Sequence, residues 1–157
     1  MTMTNETKLD ASTAIAIAIV AGIENVDLAD CDATERQSGG FDVRCDDREY
    51  LVCTDDQATA EAAADVAESL WACRSEFLRN YVQALRDDRA RAAFDKMREV
   101  LCEDANELVR ALVGDQLDEL VRDAIDADGR GHFLAIYDGN EREAIHDGQT
   151  FYAYRRN

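Results

Sequence analysis

The stretch FDVRCDDREYLVCT, residues 41–54, decides the fold class of this 157-residue chain. Apolar and polar residues alternate over 41–45, three charged residues follow at 46–48, and an apolar run occupies 50–53. Alternation with a period of two is typical of a half-buried strand, and a short polar cluster between two such runs is typical of a turn. The stretch therefore predicts a β-hairpin.

A second hairpin is predicted in EREAIHDGQTFYAYRR, residues 141–156. Asp147-Gly148 is a favoured pair for the two-residue turn that joins antiparallel strands, because both positions tolerate a positive φ. Phe151 and its neighbouring tyrosines give the returning strand an aromatic composition that is common in sheets.

Between the two hairpins the pattern is helical. Thr54 and Gln57 have the spacing of a capping box ahead of an alanine-rich helix. Further helices are predicted from Ser75 to Leu85, through a long region ending at Gly114, and from Asp115 to Gly129. In the long region the apolar residues recur at three- and four-residue spacing, which predicts one inward face of Phe94, Met97, Leu101, Ala105, Leu108 and Leu112.

The part of the chain before the first hairpin carries weaker signals. We expect residues 1–10 to be a flexible N-terminus, followed by a helix from Ser12 as its cap to Gly22, and a loop with a short strand over 24–40. Residues 11–157 are then predicted to form a single globular domain of the α+β class, with a helical middle between two hairpins.

Charge is the strongest compositional signal. The chain has 34 acidic and 17 basic residues, a net charge of −17, and only two of its basic residues are lysines. One interpretation is adaptation to molar salt, where the Debye length falls to ~3 Å and carboxylates repel weakly. The other is a carboxylate field that imitates a phosphate backbone and attracts basic, nucleic-acid-binding proteins. Either interpretation disfavours direct binding to nucleic acid.

The candidate partner-binding residues cluster in and after the first predicted hairpin, where strand alternation leaves few side chains able to point inward. They are Asp42, Asp46, Asp47, Asp55 and Asp56. The alternative is that these carboxylates only hydrate the surface of a salt-adapted protein.

DADGRGHFLAIYDGNE, residues 126–141, resembles the start of a calcium loop at first sight. Aligning Gly129 with the glycine of an EF-hand places alanine at the first and twelfth ligand positions, and starting at Asp126 places Arg130 among the ligands. We therefore interpret this stretch as a helix end closed by Gly129 and Gly131, and expect neither a metal nor another cofactor. An enzymatic alternative depends only on His132 with Asp138, without any accompanying nucleophile motif.

The five cysteines contain no C-x-x-C pair that would suggest zinc, and no apolar run approaches the ~20 residues of a membrane span. The start of the chain also lacks the basic region and cleavage site of a secretory signal. We therefore expect a cytoplasmic protein whose cysteines act as small hydrophobic residues. They are Cys31, Cys45, Cys53, Cys73 and Cys102.

The tail resembles a pattern found in many small, uncharacterised proteins of tailed phages and prophages. The shared residues are Gly129, Gly131-His132-Phe133-Leu134, Tyr137-Asp138-Gly139, Glu141, Tyr154-Arg155 and Asn157. Residues 49–78 resemble the middle of the same proteins, so the similarity spans roughly residues 49–157 and leaves the first 48 without a counterpart.

The resemblance implies a viral or proviral accessory protein, and the acidity suggests a virus of a salt-loving host. We expect it to be non-catalytic and to act in the host cytoplasm by binding a host protein. The most concrete version is an acidic nucleic-acid mimic of the anti-CRISPR or anti-restriction type. The alternative is a halophilic domain whose acidity serves no partner.

Overall fold

The computed structural model describes residues 11–157, so the flexible N-terminus predicted for residues 1–10 lies outside the described residues. The chain groups into two compact units. The sheet unit comprises the described residues up to Glu61 together with Arg130–Asn157, and the helical unit comprises Ala62–Gly129. The α+β class is confirmed, with one hairpin before a helical middle and another after it. That residues 11–157 form one domain stays a prediction.

A five-stranded antiparallel sheet with the order β1-β2-β3-β5-β4 organises the sheet unit. Its strands are β1 (Cys31–Glu35), β2 (Phe41–Cys45), β3 (Arg48–Cys53), β4 (Glu141–His146) and β5 (Gln149–Arg155). β3 lies at the centre and pairs with β5, so that Tyr50 is opposite Arg155 and Cys53 is opposite Tyr152.

Seven α-helices occur in the described part of the chain. They are α1 (Ala11–Glu24), α2 (Asp55–Glu68), α3 (Ser75–Leu78), α4 (Asp88–Leu101), α5 (Asn106–Val113), α6 (Leu117–Asp128) and α7 (Arg130–Leu134). Five short 3₁₀ turns separate them or precede a strand: Leu28–Asp30, Leu70–Ala72, Gln83–Arg86, Cys102–Ala105 and Gly114–Gln116.

Both predicted hairpins are confirmed, together with the turns that the sequence indicated. Asp147 and Gly148 have φ values of 50° and 79°, the double positive φ that an Asp-Gly pair supplies. Gln57 accepts a hydrogen bond from the Thr54 backbone N–H at 2.9 Å, as the capping-box spacing predicted. The predicted N-cap at Ser12 is wrong, since Ser12 lies inside α1.

The core of the sheet unit forms where α1 covers one face of the sheet. Ile17 and Val20 of α1 lie in one cluster with Val43, Tyr50 and Val52 of the strands, all of them buried. The Ala/Ile alternation of α1 places an apolar residue on every side of the helix, so the sequence pattern did not mark one inward face.

The helical unit is more irregular than the sequence pattern predicted. The prediction of one helix from Ser75 to Leu85 is wrong, because only α3 and one 3₁₀ turn form there. The long region breaks after α4, where Cys102 has a φ of 48° that no α-helix allows. Asp115 is not the cap of α6, since it lies in the 3₁₀ turn that precedes the helix.

The predicted inward face of the long helical region is only partly inward. Phe94 is 8% exposed and Ala105 is fully buried. Leu101, Leu108 and Leu112 are exposed by 39%, 42% and 42%, so the prediction is wrong for these three leucines. Leu108 and Leu112 follow the break after α4, so the helical spacing of α4 does not continue to them, whereas Leu101 is the last residue of α4 itself.

A disulfide overturns the prediction that all five cysteines act as hydrophobic residues. Cys31 of β1 and Cys45 of β2 are directly opposite in the strand register, and their Cα atoms lie 4.1 Å apart with the sulfurs bonded. Sequence spacing did not show this pairing, because the register that aligns the two residues was not predicted. Cys53 is buried as expected, whereas Cys102 is exposed.

Candidate functional site

The five candidate aspartates are all exposed, but the structure does not bring them together. Asp46 and Asp47 form the turn before β3, and Asp55 and Asp56 open α2 after β3 has ended. The length of β3 separates the two pairs by about 17 Å at the usual rise per residue. Asp42 lies in the middle of β2.

Two of these aspartates already have basic partners. Asp42 lies 3.7 Å from the guanidinium of Arg36, which also contacts Glu61 at 3.1 Å. Asp55 accepts a hydrogen bond from Arg130 at 2.8 Å. Their negative charge is therefore partly neutralised within the chain.

An open concavity of about 380 Å³ surrounds Asp42 on the outer face of β1, β2 and β3. Three acidic side chains and three arginines line it: Asp32, Asp42, Glu49, Arg36, Arg44 and Arg156. This surface carries no net charge, in contrast to the chain as a whole. It does not resemble the continuous negative field that a phosphate mimic needs.

The enzymatic alternative gains no support from the geometry around His132. The exposed His132 ring contacts Phe133 edge-on, with ring centroids 5.0 Å apart. Asp138 instead accepts a hydrogen bond from the Asn140 N–H at 3.0 Å and pairs with Arg142 at 2.6 Å. Burial raises the pKa of the Cys53 thiol to about 12, so it is not a thiolate nucleophile at neutral pH.

The acidic stretch at 126–128 is the end of a helix. α6 ends at Asp128, and Gly129 adopts a φ of 78° while its N–H bonds to the Ile125 carbonyl at 2.8 Å. The predicted helix end at Gly129 is confirmed, whereas Gly131 lies inside α7. Over residues 11–157, no three His, Cys, Asp or Glu side chains converge in a way that suits a metal ion.

Glu141 and Tyr154 of the tail pattern stabilise the sheet unit together with Arg130, which lies outside the pattern. Arg130 forms a two-pronged contact with Glu141, at 2.8 and 3.0 Å, and stacks on the Tyr152 ring at 4.5 Å. The hydroxyl of the buried Tyr154 donates to the same carboxylate at 2.5 Å. Burial, followed by this hydrogen bond, raises the pKa of the Tyr154 hydroxyl. Sequence reasoning missed the role of Arg130, because its partner Asp55 is 75 positions away.

The glycines and the remaining tail residues also have structural roles. A Cβ on Gly131 would lie 2.4 Å from the Gly139 carbonyl oxygen, so only glycine fits there without a shift of the backbone. Arg155 stacks on the Tyr137 ring at 3.7 Å, and Asn157 donates to the Asp47 carbonyl at 2.9 Å. The tail pattern is thus explained by packing and hydrogen bonding.

A longer run of carboxylates lies in a different place, the segment Glu99–Asp128 of the helical unit. It contains ten acidic residues and only two basic ones, Arg110 and Arg122. Nine of the ten acidic residues are exposed, and Asp123 is half-buried. We call this the acid-dense segment. Counting charges along the chain identifies this segment, whereas the hairpin pattern that selected the five aspartates does not.

Comparison with known proteins gave no matching family model, no matching curated protein and no matching solved structure. Within residues 11–157, no helix combines the length and apolar character that crossing a membrane requires. The class is therefore defined only by fold and surface, as an acidic α+β protein whose helical unit carries a long run of exposed carboxylates.

Proposed function

We propose that this protein is a small, non-catalytic accessory protein of a virus or provirus that binds a basic, nucleic-acid-binding protein of its host. The observation that carries the proposal is the acid-dense segment, where ten carboxylates accompany two arginines on an exposed helical surface. Such a field attracts the surfaces that bind phosphate backbones and accelerates their association. Inhibition of a host defence enzyme, in the manner of anti-CRISPR or anti-restriction proteins, is the most concrete form of this activity.

Two acidic surfaces are candidates for the contact with the partner. The first is the set predicted from sequence, Asp42, Asp46, Asp47, Asp55 and Asp56. The second is a matched set from the acid-dense segment, Glu103, Asp104, Glu107, Asp115 and Asp118. Only the second set belongs to a segment with few basic residues, so we expect it to contribute more to binding.

A capture experiment separates these two surfaces. Wild-type protein and two variants, each with five carboxylates changed to the corresponding amides, are immobilised and exposed to host lysate at low and at multimolar salt. We expect enrichment of nucleic-acid-binding proteins, elution by double-stranded DNA, and a larger loss for the helical set than for the hairpin set. Equal capture by all three proteins, or captured proteins without nucleic-acid-binding members, would contradict the proposal.

The second candidate function is a halophilic domain whose acidity has no partner. The composition favours it, because fifteen of seventeen basic residues are arginine, which avoids the long apolar stem of lysine. Screening of 34 carboxylates should then raise the melting temperature as KCl increases towards multimolar concentrations. A flat or falling melting temperature would contradict salt adaptation, and a rising one without captured partners would favour this candidate over the first.

The proposed site of action is the host cytoplasm, and the disulfide offers a direct test of it. Disulfides are rare in the cytosol of most organisms, because thiol reductants keep cysteines reduced. Trapping of free thiols in freshly lysed producing cells, followed by mass spectrometry, measures the state of Cys31 and Cys45. Largely reduced cysteines fit the cytoplasm, whereas an oxidised pair argues for an oxidising compartment.

A further inference from the structure

The end of α4 and the following helix α5 expose apolar side chains that the sequence pattern assigned to the interior. Val100 is 81% exposed, and Leu101, Leu108 and Leu112 are each about two-fifths exposed. Leu108 and Leu112 are one helical turn apart and therefore neighbours on the surface of α5. We call these four residues, two at the end of α4 and two on α5 after the break at Cys102, the α4–α5 apolar face.

The borders of this face are acidic. Glu99 precedes it, Glu103, Asp104 and Glu107 lie within it along the chain, and Asp115 follows it, all of them exposed. Within residues 11–157, Glu107 of this rim forms an ion pair with Arg110 at 3.6 Å. An apolar centre with a charged rim is the usual anatomy of a protein interface.

The charge of the rim selects the occupant. A second copy of this chain would bring one acidic rim against another, and like charges across an interface cost free energy. An anionic membrane surface would be repelled for the same reason. A helix with leucine-like residues on one side and lysine or arginine on the other complements both the apolar centre and the acidic rim.

We propose that the α4–α5 apolar face is the docking site for a basic amphipathic helix of the partner protein. This inference rests on the proposed function and specifies which part of the helical unit makes the contact. Apolar burial supplies most of the affinity, and the carboxylates orient the incoming helix and accelerate its association.

A synthetic peptide probe tests the docking site directly. The probe is a fluorescein-labelled amphipathic helix of about 18 residues, five turns, built from leucine on one face and lysine on the other. A second peptide with the same lysines but alanine in place of leucine measures binding through charge alone. Fluorescence anisotropy gives the Kd of both peptides for wild-type protein and for two variants.

The variants are matched in chemistry and differ in place. Leu108→Ser with Leu112→Ser alters the α4–α5 apolar face, and Ile136→Ser with Ile145→Ser removes two residues of the sheet unit that are 69% and 70% exposed. We expect the leucine variant to bind the leucine peptide at least 10-fold more weakly and the isoleucine variant to bind it like wild type. Circular dichroism melts establish that each variant is folded, and Glu103→Lys with Glu107→Lys provides a second test without apolar changes, with weaker binding expected again.

The inference is overturned if the leucine variant binds as tightly as wild type, or if both peptides bind wild type equally. Sedimentation of the wild-type protein as a dimer that the leucine substitutions dissociate would overturn it in favour of a second copy. Host proteins captured equally by wild type and the leucine variant would refute this docking site and leave the proposed function standing. Peptide binding at the α4–α5 apolar face without any captured host protein would support the docking site and contradict the proposed function.

Discussion

The contacts that stabilise the sheet unit internally differ from those that stabilise the helical unit. In the sheet unit, strands that are distant in sequence form continuous ladders, a disulfide joins β1 to β2, and Arg130 connects α2, α7 and β4. In the helical unit, the end of α2 and the residues that follow it leave carbonyl groups without helical partners. Side chains satisfy those carbonyls instead: Arg98 donates to Trp71 and Cys73, and Arg110 donates to Ala67 at 2.6 Å.

The comparison shows which unit makes the most long-range internal contacts and which unit exposes the longer run of carboxylates. In the sheet unit, Tyr154 and Glu141 of the tail pattern bond to each other, and the outer concavity carries no net charge. The helical unit also buries apolar residues such as Leu78 and Val109, but it leaves other apolar side chains and many acidic ones at its surface. The contact between Glu141 and Tyr154 of the tail pattern thus belongs to the sheet unit, while the acid-dense segment belongs to the helical unit.

The largest expected effect concerns the disulfide of the sheet unit. Replacing Cys31 and Cys45 with alanine removes a crosslink between residues 14 positions apart and should lower the free energy of unfolding by about 3 kcal/mol. Urea denaturation measures the loss, and hydrogen exchange should show it in the amides of β1 and β2. Cys102→Ala, at an exposed free cysteine, is the control and should be neutral. A neutral double variant would show that the crosslink does not stabilise the sheet.

Gly131 provides a second test of the tight packing in the sheet unit. Gly131→Ala should cost about 2 kcal/mol, because the new methyl group meets backbone atoms of Gly139 that cannot rotate away. Gly22→Ala is the matched control: nothing lies within 4 Å of its Cβ position, so alanine should stabilise α1 by about 0.5 kcal/mol. Thermal and urea denaturation measure both. Equal effects of the two substitutions would contradict the packing described for α7.

Much of the fold was predictable because its signals are local. The two hairpins depend on turn pairs and alternation within about 15 residues, and the start of α2 depends on a capping residue three positions away. The contact of Arg130 with Asp55 and the pairing of Cys31 with Cys45 depend on the tertiary arrangement, which no local pattern contains. The exposure of Leu108 was not predicted because the apolar spacing runs on through Cys102, where the positive φ ends α4.

In the helical unit, Asn106 tests the claim that side chains replace helical hydrogen bonds. Its amide donates to the Ala67 carbonyl at 3.0 Å and accepts from the Trp71 N–H at 3.2 Å. Asn106→Ala leaves the Trp71 N–H unpaired, while the Ala67 carbonyl keeps its bond from Arg110. The substitution should cost about 1.5 kcal/mol, measured by the fluorescence of Trp71 during urea denaturation. Asn80→Ala, at an exposed position, should stay within about 0.5 kcal/mol of wild type. Equal losses in the Asn106→Ala and Asn80→Ala variants would show that the hydrogen bonds of Asn106 do not stabilise the fold.

The smallest effect compares one tyrosine hydroxyl from each unit, that of the buried Tyr50 and that of the half-buried Tyr81. Tyr50 donates to Glu24 and Tyr81 donates to Asp123, and in both cases burial, followed by the carboxylate, raises the pKa of the hydroxyl. For Tyr50 the pKa rises from 10.0 to about 12. Replacement of either by Phe should cost about 1 kcal/mol at neutral pH.

The same pair of tyrosines predicts how stability depends on pH. A folded-state pKa above the unfolded value means that the neutral phenol is favoured by folding, so its contribution is complete below pH 10. It is lost between pH 10 and about 12, because the unfolded chain releases the proton first. Urea denaturation across this range should show wild type losing stability more steeply than Tyr50→Phe. Parallel curves would contradict the raised pKa.

The order of the strands also determines when the sheet can be completed during synthesis. β1, β2 and β3 are made early and adjacent to one another, but β3 gains its second neighbour from a strand about 100 positions later in the chain. Until β5 emerges, one side of β3 has unpaired backbone groups next to the apolar residues Leu51 and Val52. The growing chain thus passes through a stage in which its central strand is open to pairing with other chains. Slow translation of the helical segment would prolong that stage and favour aggregation on the ribosome.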